Sequence, residues 1–167
     1  MDPNYITPFI RSIRNVFSTM LQLEVGVDAP MIKANSTTSF DVTGIIGMSG
    51  DVVGSVVLSL PGSTAQGVVE RFTGSDVSVE SDDFADAIGE LVNMIAGGAK
   101  AMFADRSVSI SCPSVVLGQN HRIASPKHVP CVVIPCRTDC GELAIEVMID
   151  DCKSSPQTSN AAASAQA

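Results

Sequence analysis

Three polar side chains, Asp86, Glu90 and Asn93, stand in the otherwise apolar, small-residue run "DAIGELVNMIAGG" at residues 86–98. A carboxylate can take a proton from a neighbouring water, and a carboxamide both donates and accepts hydrogen bonds, so an acid and an amide together can hold and orient a small polar molecule. At about 100° per residue, Asp86, Glu90, Asn93, Gly97 and Lys100 fall on one side of a helix within roughly 40° of a common direction. Glu90 and Asn93, three apart, stand about 5 to 6 Å from each other and point the same way. The opposite side receives Phe84, Ile88, Leu91, Ile95 and Met102, the expected buried stripe.

A solvated face of an amphipathic helix is the plain alternative, but such faces are filled with Lys, Glu, Gln and Arg. Here the flanks are Ala87, Gly89, Met94, Ala96 and Gly97, which predicts a nearly bare surface with room for a partner to close over the acid and the amide. Gly97 and Gly98 each cost about 1 kcal/mol relative to Ala inside a helix. They would serve as a C-cap if the helix stopped there. "AKAMFAD" continues both the apolar phase and the helix propensity, however, so an uninterrupted helix over about 83–104 is expected, capped by Ser81 or Asp82. A glycine on the polar line then suits the close approach of another backbone.

The elements that must position this helix can be read on either side of it. Residues 8–21 carry Phe9, Ile13, Val16, Phe17, Met20 and Leu21 at helical spacing, with Thr7 as cap and Pro8 at the first helical position. Two alternating or wholly apolar arms, 40–48 and 54–60, flank the turn residues Ser49, Gly50 and Asp51 and predict a hairpin. A short helix over 63–72 follows, capped by Ser63 or Thr64 and stopped at Gly74. "SVSISCPSVVLG" gives a strand or two broken at Pro113, and a second hairpin joins 131–136 to 142–149 through "RTDCG". The two hairpins resemble each other and each follows a helix. That pattern predicts an α+β fold of pseudo-twofold halves, with helices packed on one face of a mostly antiparallel sheet.

A chain of 167 residues, 45% hydrophobic, fits a single domain over residues 1–152, and the polar, small residues 153–167 have nothing to bury and predict a disordered tail. A net charge of -8 disfavours nucleic acid and anionic membranes, which reward clustered Lys and Arg. No apolar run is long enough to span a bilayer, and "MDPNYITPFIRSIRN" lacks a signal peptide's basic start, so a cytoplasmic location is expected. There the sequon at 35–37 has no meaning. Cys112, Cys131, Cys136, Cys140 and Cys152 form no CxxC pair, and His121 and His128 sit in a polar loop. Free thiols are therefore expected, not a metal site. "SLPGS" is not a nucleophile elbow, and "MSGDVVGS" lacks the GK[ST] of a phosphate-binding loop.

The spacing Asp86-x3-Glu90-x2-Asn93, followed by Gly97 and by a proline after the helix, resembles the signature of the CheC/CheX/FliY family of chemotaxis phosphatases. "DVTGIIGMSGDVVGSVVLSLP" and "VVIPCRTDCGELAIEV" extend the resemblance over residues 8 to about 150. Pro113 comes sooner after Asn93 than the family pattern has it, as a shorter loop would place it. The first helix offers only Ser12 and Asn15 at the corresponding positions, so one active motif per chain is expected, as in CheX-like members.

What the resemblance implies is hydrolysis of the phosphoaspartate of a CheY-type response regulator in chemotaxis or other two-component signalling. The phosphorylated regulator would bring its own magnesium ion and a lysine, and the chain would need no cofactor or metal of its own. Asn93 would orient the attacking water, and Glu90 would pair with the regulator's lysine or act as general base. Gly97 would contact the partner, and Asp86 would either contact it or only help solvate the helix's first turns. The resemblance also implies a homodimer with sheets extended across chains, since apolar hairpins need a covered edge. The alternative is an adaptor that binds receiver domains without catalysis.

Overall fold

The structure, a computed structural model, describes residues 3–33, 39–119, 121–123 and 128–152. The expected tail at 153–167 and the sequon at 35–37 lie outside the described residues. Helix α1 (Pro3–Val16) runs on through a π-helical turn, Phe17–Leu21, and ends at Gln22 in the left-handed conformation. Two short strands follow, β1 (Gly26–Val27) and β2 (Met31–Ile32), then the hairpin β3 (Val42–Gly50) and β4 (Val52–Leu60). Helices α2 (Gly62–Thr73) and α3 (Asp82–Lys100) precede β5 (Val108–Ile110) and β6 (Ser114–Leu117). The hairpin β7 (Val132–Thr138) and β8 (Gly141–Asp151) closes the fold.

All the strand pairings are antiparallel, in the order β1-β7-β8-β4-β3-β5, with β2 also on β7 and β6 also on β3. The two hairpins meet along β4 and β8, where Val56 faces Val147 and Leu58 faces Ile145. The expected pseudo-twofold is thus built by exchange. The short strands after α1 pair with the second hairpin, and those after α3 pair with the first.

One face of the sheet carries Ile46, Val56, Leu58, Ile134, Ile145 and Val147 into a single core shared with Phe9, Ile13, Phe17, Phe84, Ile88 and Leu91 of the helices. Period-2 alternation puts those sheet residues on one side, and the 3.6-residue period turns the helical ones to meet them. The opposite face is covered differently. Glu146 there accepts from Lys33 Nζ at 2.8 Å and from Ser39 N and Oγ at 2.9 and 2.8 Å, so a buried carboxylate is both paired and hydrogen-bonded.

Four expectations need correction. Pro8 lies in the second turn of α1 and is not its first residue, because Tyr5 and Ile6 upstream are needed for packing: Ile6 is buried, and Tyr5 packs its ring, tilted by 56°, 5.7 Å from that of Phe103 and hydrogen-bonds Asp151. Ser63 and Thr64 lie within α2 and do not cap it. Pro61 holds the cap position without a side-chain hydrogen bond, and Thr64 is buried. Helix α3 stops at Lys100, short of 104, since the chain tightens there to turn Phe103 back into the core. Finally, each hairpin's outer edge is already covered within the chain by strands of two to four residues, so an uncovered edge gives no reason for a second copy.

Candidate active site on helix α3

Helix α3 begins as its sequence dictates. Ser81 is the N-cap, its Oγ accepting from Phe84 N at 3.2 Å, and Asp82 and Asp83 fill the first turn, where the helix dipole favours negative charge. The helix continues without interruption through Gly97 and Gly98.

Its glycines and the one beneath it have different reasons. Gly44 of β3 lets α3 lie close on the sheet, for a Cβ there would come within 2.9 Å of Val92. Gly89 makes room for Pro113, which would stand 3.3 Å from an added Cβ. Gly98 receives Ser12 of α1, whose Oγ donates to the Ile95 carbonyl at 2.7 Å and would lie 2.4 Å from a Cβ at 98. Gly97 has no such reason: a Cβ there would meet only Ile110 Cδ1, at 3.9 Å.

These contacts fix the surroundings of the polar line. Helix α1 flanks it on one side, and on the other the chain from Ile110 to Pro113 runs back along α3 from Gly97 towards Gly89. Ser111 ties that corner to β3, its Oγ accepting from Gly47 N at 2.9 Å and its N–H donating to the Gly47 carbonyl at 2.9 Å. Pro113 is therefore a buttress packed one residue from Glu90.

Asp86 and Glu90 are exposed and Asn93, Gly97 and Lys100 half-buried, so the predicted residues do share one accessible line. Asn93 Nδ2 donates to Glu90 Oε2 at 3.5 Å, long enough to be released at little cost. The flanks are not bare, as the sequence suggested. Ala87, Gly89 and Ala96 are buried under neighbouring elements, and the open strip is narrow. Met102, placed on the buried stripe by periodicity, is 39% exposed because it lies past the helix end.

Ser12, at the position of the acid in the first helix, is 1% exposed and engaged in the α1–α3 contact, so that half-site keeps only the exposed amide of Asn15 and no acid. Sequence reasoning missed what α1 does contribute. Arg11, Asn15 and Thr19 line a groove of about 650 Å3 that opens beside Asn93. The i, i+4 spacing of Arg11 and Asn15 on the polar side of the Phe9/Ile13 stripe is the signal that could have found it.

Among the described residues, no three His, Cys, Asp or Glu side chains stand together as a metal site would require. Burial pushes the Cys131 thiol up to about 11, with the Glu146 carboxylate adding to it, and the Cys136 thiol up to about 12. Both stay protonated near neutral pH and are poor nucleophiles. No helix among the described residues is long and apolar enough to cross a membrane.

Comparison with known proteins places the fold. A family model described as "Chemotaxis phosphatase CheX" matches residues 42–137. The CheY-P phosphatase CheX of Thermotoga maritima is 30% identical over 128 residues, covering 75% of this chain and 83% of that protein. The crystal structure of a chemotaxis protein CheX from Desulfovibrio desulfuricans superposes with a TM-score of 0.81 at 30% identity, covering 87% of this chain and 99% of that one. The CheX of a CheX–CheY–BeF3–Mg complex from Borrelia burgdorferi, 24% identical, shares the fold with a TM-score of 0.73 over 87% of this chain and 97% of that one.

Proposed function

The chain belongs to the CheX family of chemotaxis phosphatases, and on that premise we propose that it accelerates hydrolysis of the phosphoaspartate of a CheY-type response regulator. The observation that carries the proposal is Glu90 and Asn93 meeting on an open line of an otherwise buried helix.

Hydrolysis of an acyl phosphate breaks the bond from phosphorus to the aspartyl oxygen and forms one to a water oxygen, giving carboxylate, inorganic phosphate and a proton. The transition state is loose, so acceleration comes chiefly from holding the water in line and stabilising charge. Asn93 does the holding: its carbonyl oxygen accepts from the water while its N–H donates to a phosphoryl oxygen. Glu90 takes the regulator's lysine, and in doing so leaves the loose contact with Asn93 and frees the amide. The regulator brings the magnesium ion, which neutralises phosphoryl charge; the chain contributes position. Asp86 extends the acidic end of the docking line, and Gly97 admits a close backbone.

A homodimer belongs to the same proposal. Its support is Met31 and Ile32 on β2, 57% and 71% exposed at the sheet's margin, apolar surface that a second copy would cover.

The test is turnover against phosphoregulator concentration for Glu90→Gln and Asn93→Ala, at low and high salt. Glu90→Gln should raise the half-saturating concentration at least as much as it lowers the maximal rate, and should flatten the salt dependence. Asn93→Ala should act mainly on the maximal rate. A Glu90→Gln defect confined to the maximal rate would make Glu90 a general base, and an adaptor would show binding with no turnover in the wild type.

A further inference from the structure

The groove between α1 and α3 has the anatomy of a docking surface. Val16, Met94, Met102 and Ile110 supply an apolar floor, and methionine is the side chain that adapts most readily to a partner's shape. Arg11 and Asn15 form its polar rim. Its walls cannot slide, because Ser12 is seated on Gly98 and hydrogen-bonded to the Ile95 carbonyl. Gly97, which the chain's own packing does not require, lies inside the groove, and Asn93 stands at its mouth.

Charge is graded along the same surface. Asp86 and Glu90 precede Asn93 on α3, whereas beyond it come Lys100 and, across the groove, Arg11. Arg11 is exposed and, among the described residues, makes no hydrogen bond or ion pair, in a chain of net charge -8. A partner that offers a cation to Glu90 therefore finds the opposite preference further along, with Lys100 about three turns beyond Glu90.

We propose that this groove is the second half of the regulator-docking surface. In it, an apolar side chain of the regulator seats on the methionines and a neighbouring carboxylate pairs with Arg11, which makes Arg11 a specificity-determining residue. The proposal rests on the phosphatase reading for the partner's identity. Two oppositely charged anchors on either side of Asn93 fix the register of docking, which a single lysine on Glu90 would leave free to pivot. Guanidinium suits the task because it binds a carboxylate in a fixed fork.

The experiment measures binding of a magnesium-loaded regulator carrying beryllium fluoride, together with turnover of the phosphorylated regulator, for the wild type, Arg11→Glu, Arg11→Lys and Arg14→Glu. Arg14 is exposed on the same helix but does not line the groove, so its reversal controls for overall charge. Arg11→Glu is expected to weaken binding and raise the half-saturating concentration about tenfold, with the maximal rate within about twofold; Arg14→Glu should change either by no more than about twofold. Arg11→Lys, which keeps the charge and loses the fork, should recover only part of the loss. Equal effects of Arg11→Glu and Arg14→Glu, or a loss confined to the maximal rate, would overturn the assignment. Absence of turnover in the wild type would count against the phosphatase reading alone, since the binding measurement still decides the role of Arg11.

Discussion

Asn93 and Gly97 show how differently two residues on one line can be tied to their own fold. Asn93 touches its chain through one long hydrogen bond, so its loss should be felt in function and hardly in stability. Gly97 goes further, because replacing it should help the fold. A methyl group at 97 meets only Ile110 at 3.9 Å, so Gly97→Ala is expected to raise stability by about 1 kcal/mol. At 98 the same change drives Ser12 off the Ile95 carbonyl and should destabilise by roughly 1 to 2 kcal/mol. Thermal melts of both variants check the opposite signs, and Gly97→Ala should also dock the regulator less well. The polar line was legible in the sequence because helical spacing alone collects Asp86, Glu90, Asn93 and Gly97. What covers its flanks was not, since nothing local to α3 says that Pro113 seats on Gly89 or Ser12 on Gly98.

At the scale of elements, α1 is latched to the rest by a cluster at its N-terminal end. Tyr5 donates to Asp151, which also pairs with Arg106 at 2.9 Å, joining the start of α1, the end of β8 and the segment after α3. Burial, and then the hydrogen bond to Asp151, hold the Tyr5 hydroxyl above its usual value. A group whose folded pKa is raised binds its proton more tightly in the native state. Its contribution is therefore intact below about pH 10 and lost as pH rises through the folded value. The wild type should lose stability above that pH, and Tyr5→Phe should flatten the part of the loss that this residue causes. An unchanged alkaline slope in denaturant titrations would disprove the latch's role. Pro8 hid this part of α1, because a proline reads as a helix start unless one knows that Tyr5 and Ile6 are held by tertiary contacts. The hairpins, the Ser81 cap and the stop at Gly74 were legible because turn and cap chemistry are local.

Across the whole molecule, two similar halves share one sheet, yet only α3 sets an acid and an amide side by side on an exposed line, since the corresponding serine of α1 is used to hold the helices together. The exchange of short strands covers both hairpins within one chain, a non-local pairing that no local pattern announces. The proposed homodimer would then use the exposed β2 margin. Light scattering at micromolar concentration should show twice the 17.4 kDa chain mass, and Ile32→Glu should return it to the monomer. A wild type found only at the chain mass would remove the dimer from the account. The central claim, that Asn93 makes this fold a phosphatase, is met most directly by following phosphate loss from a phosphorylated CheY-type regulator alone, with the wild type and with Asn93→Ala. The wild type is expected to accelerate the loss, and Asn93→Ala to remove about a hundredfold of its turnover, about 2.7 kcal/mol of transition-state stabilisation, while melting at the wild-type temperature. Wild-type turnover in a folded Asn93→Ala would contradict it.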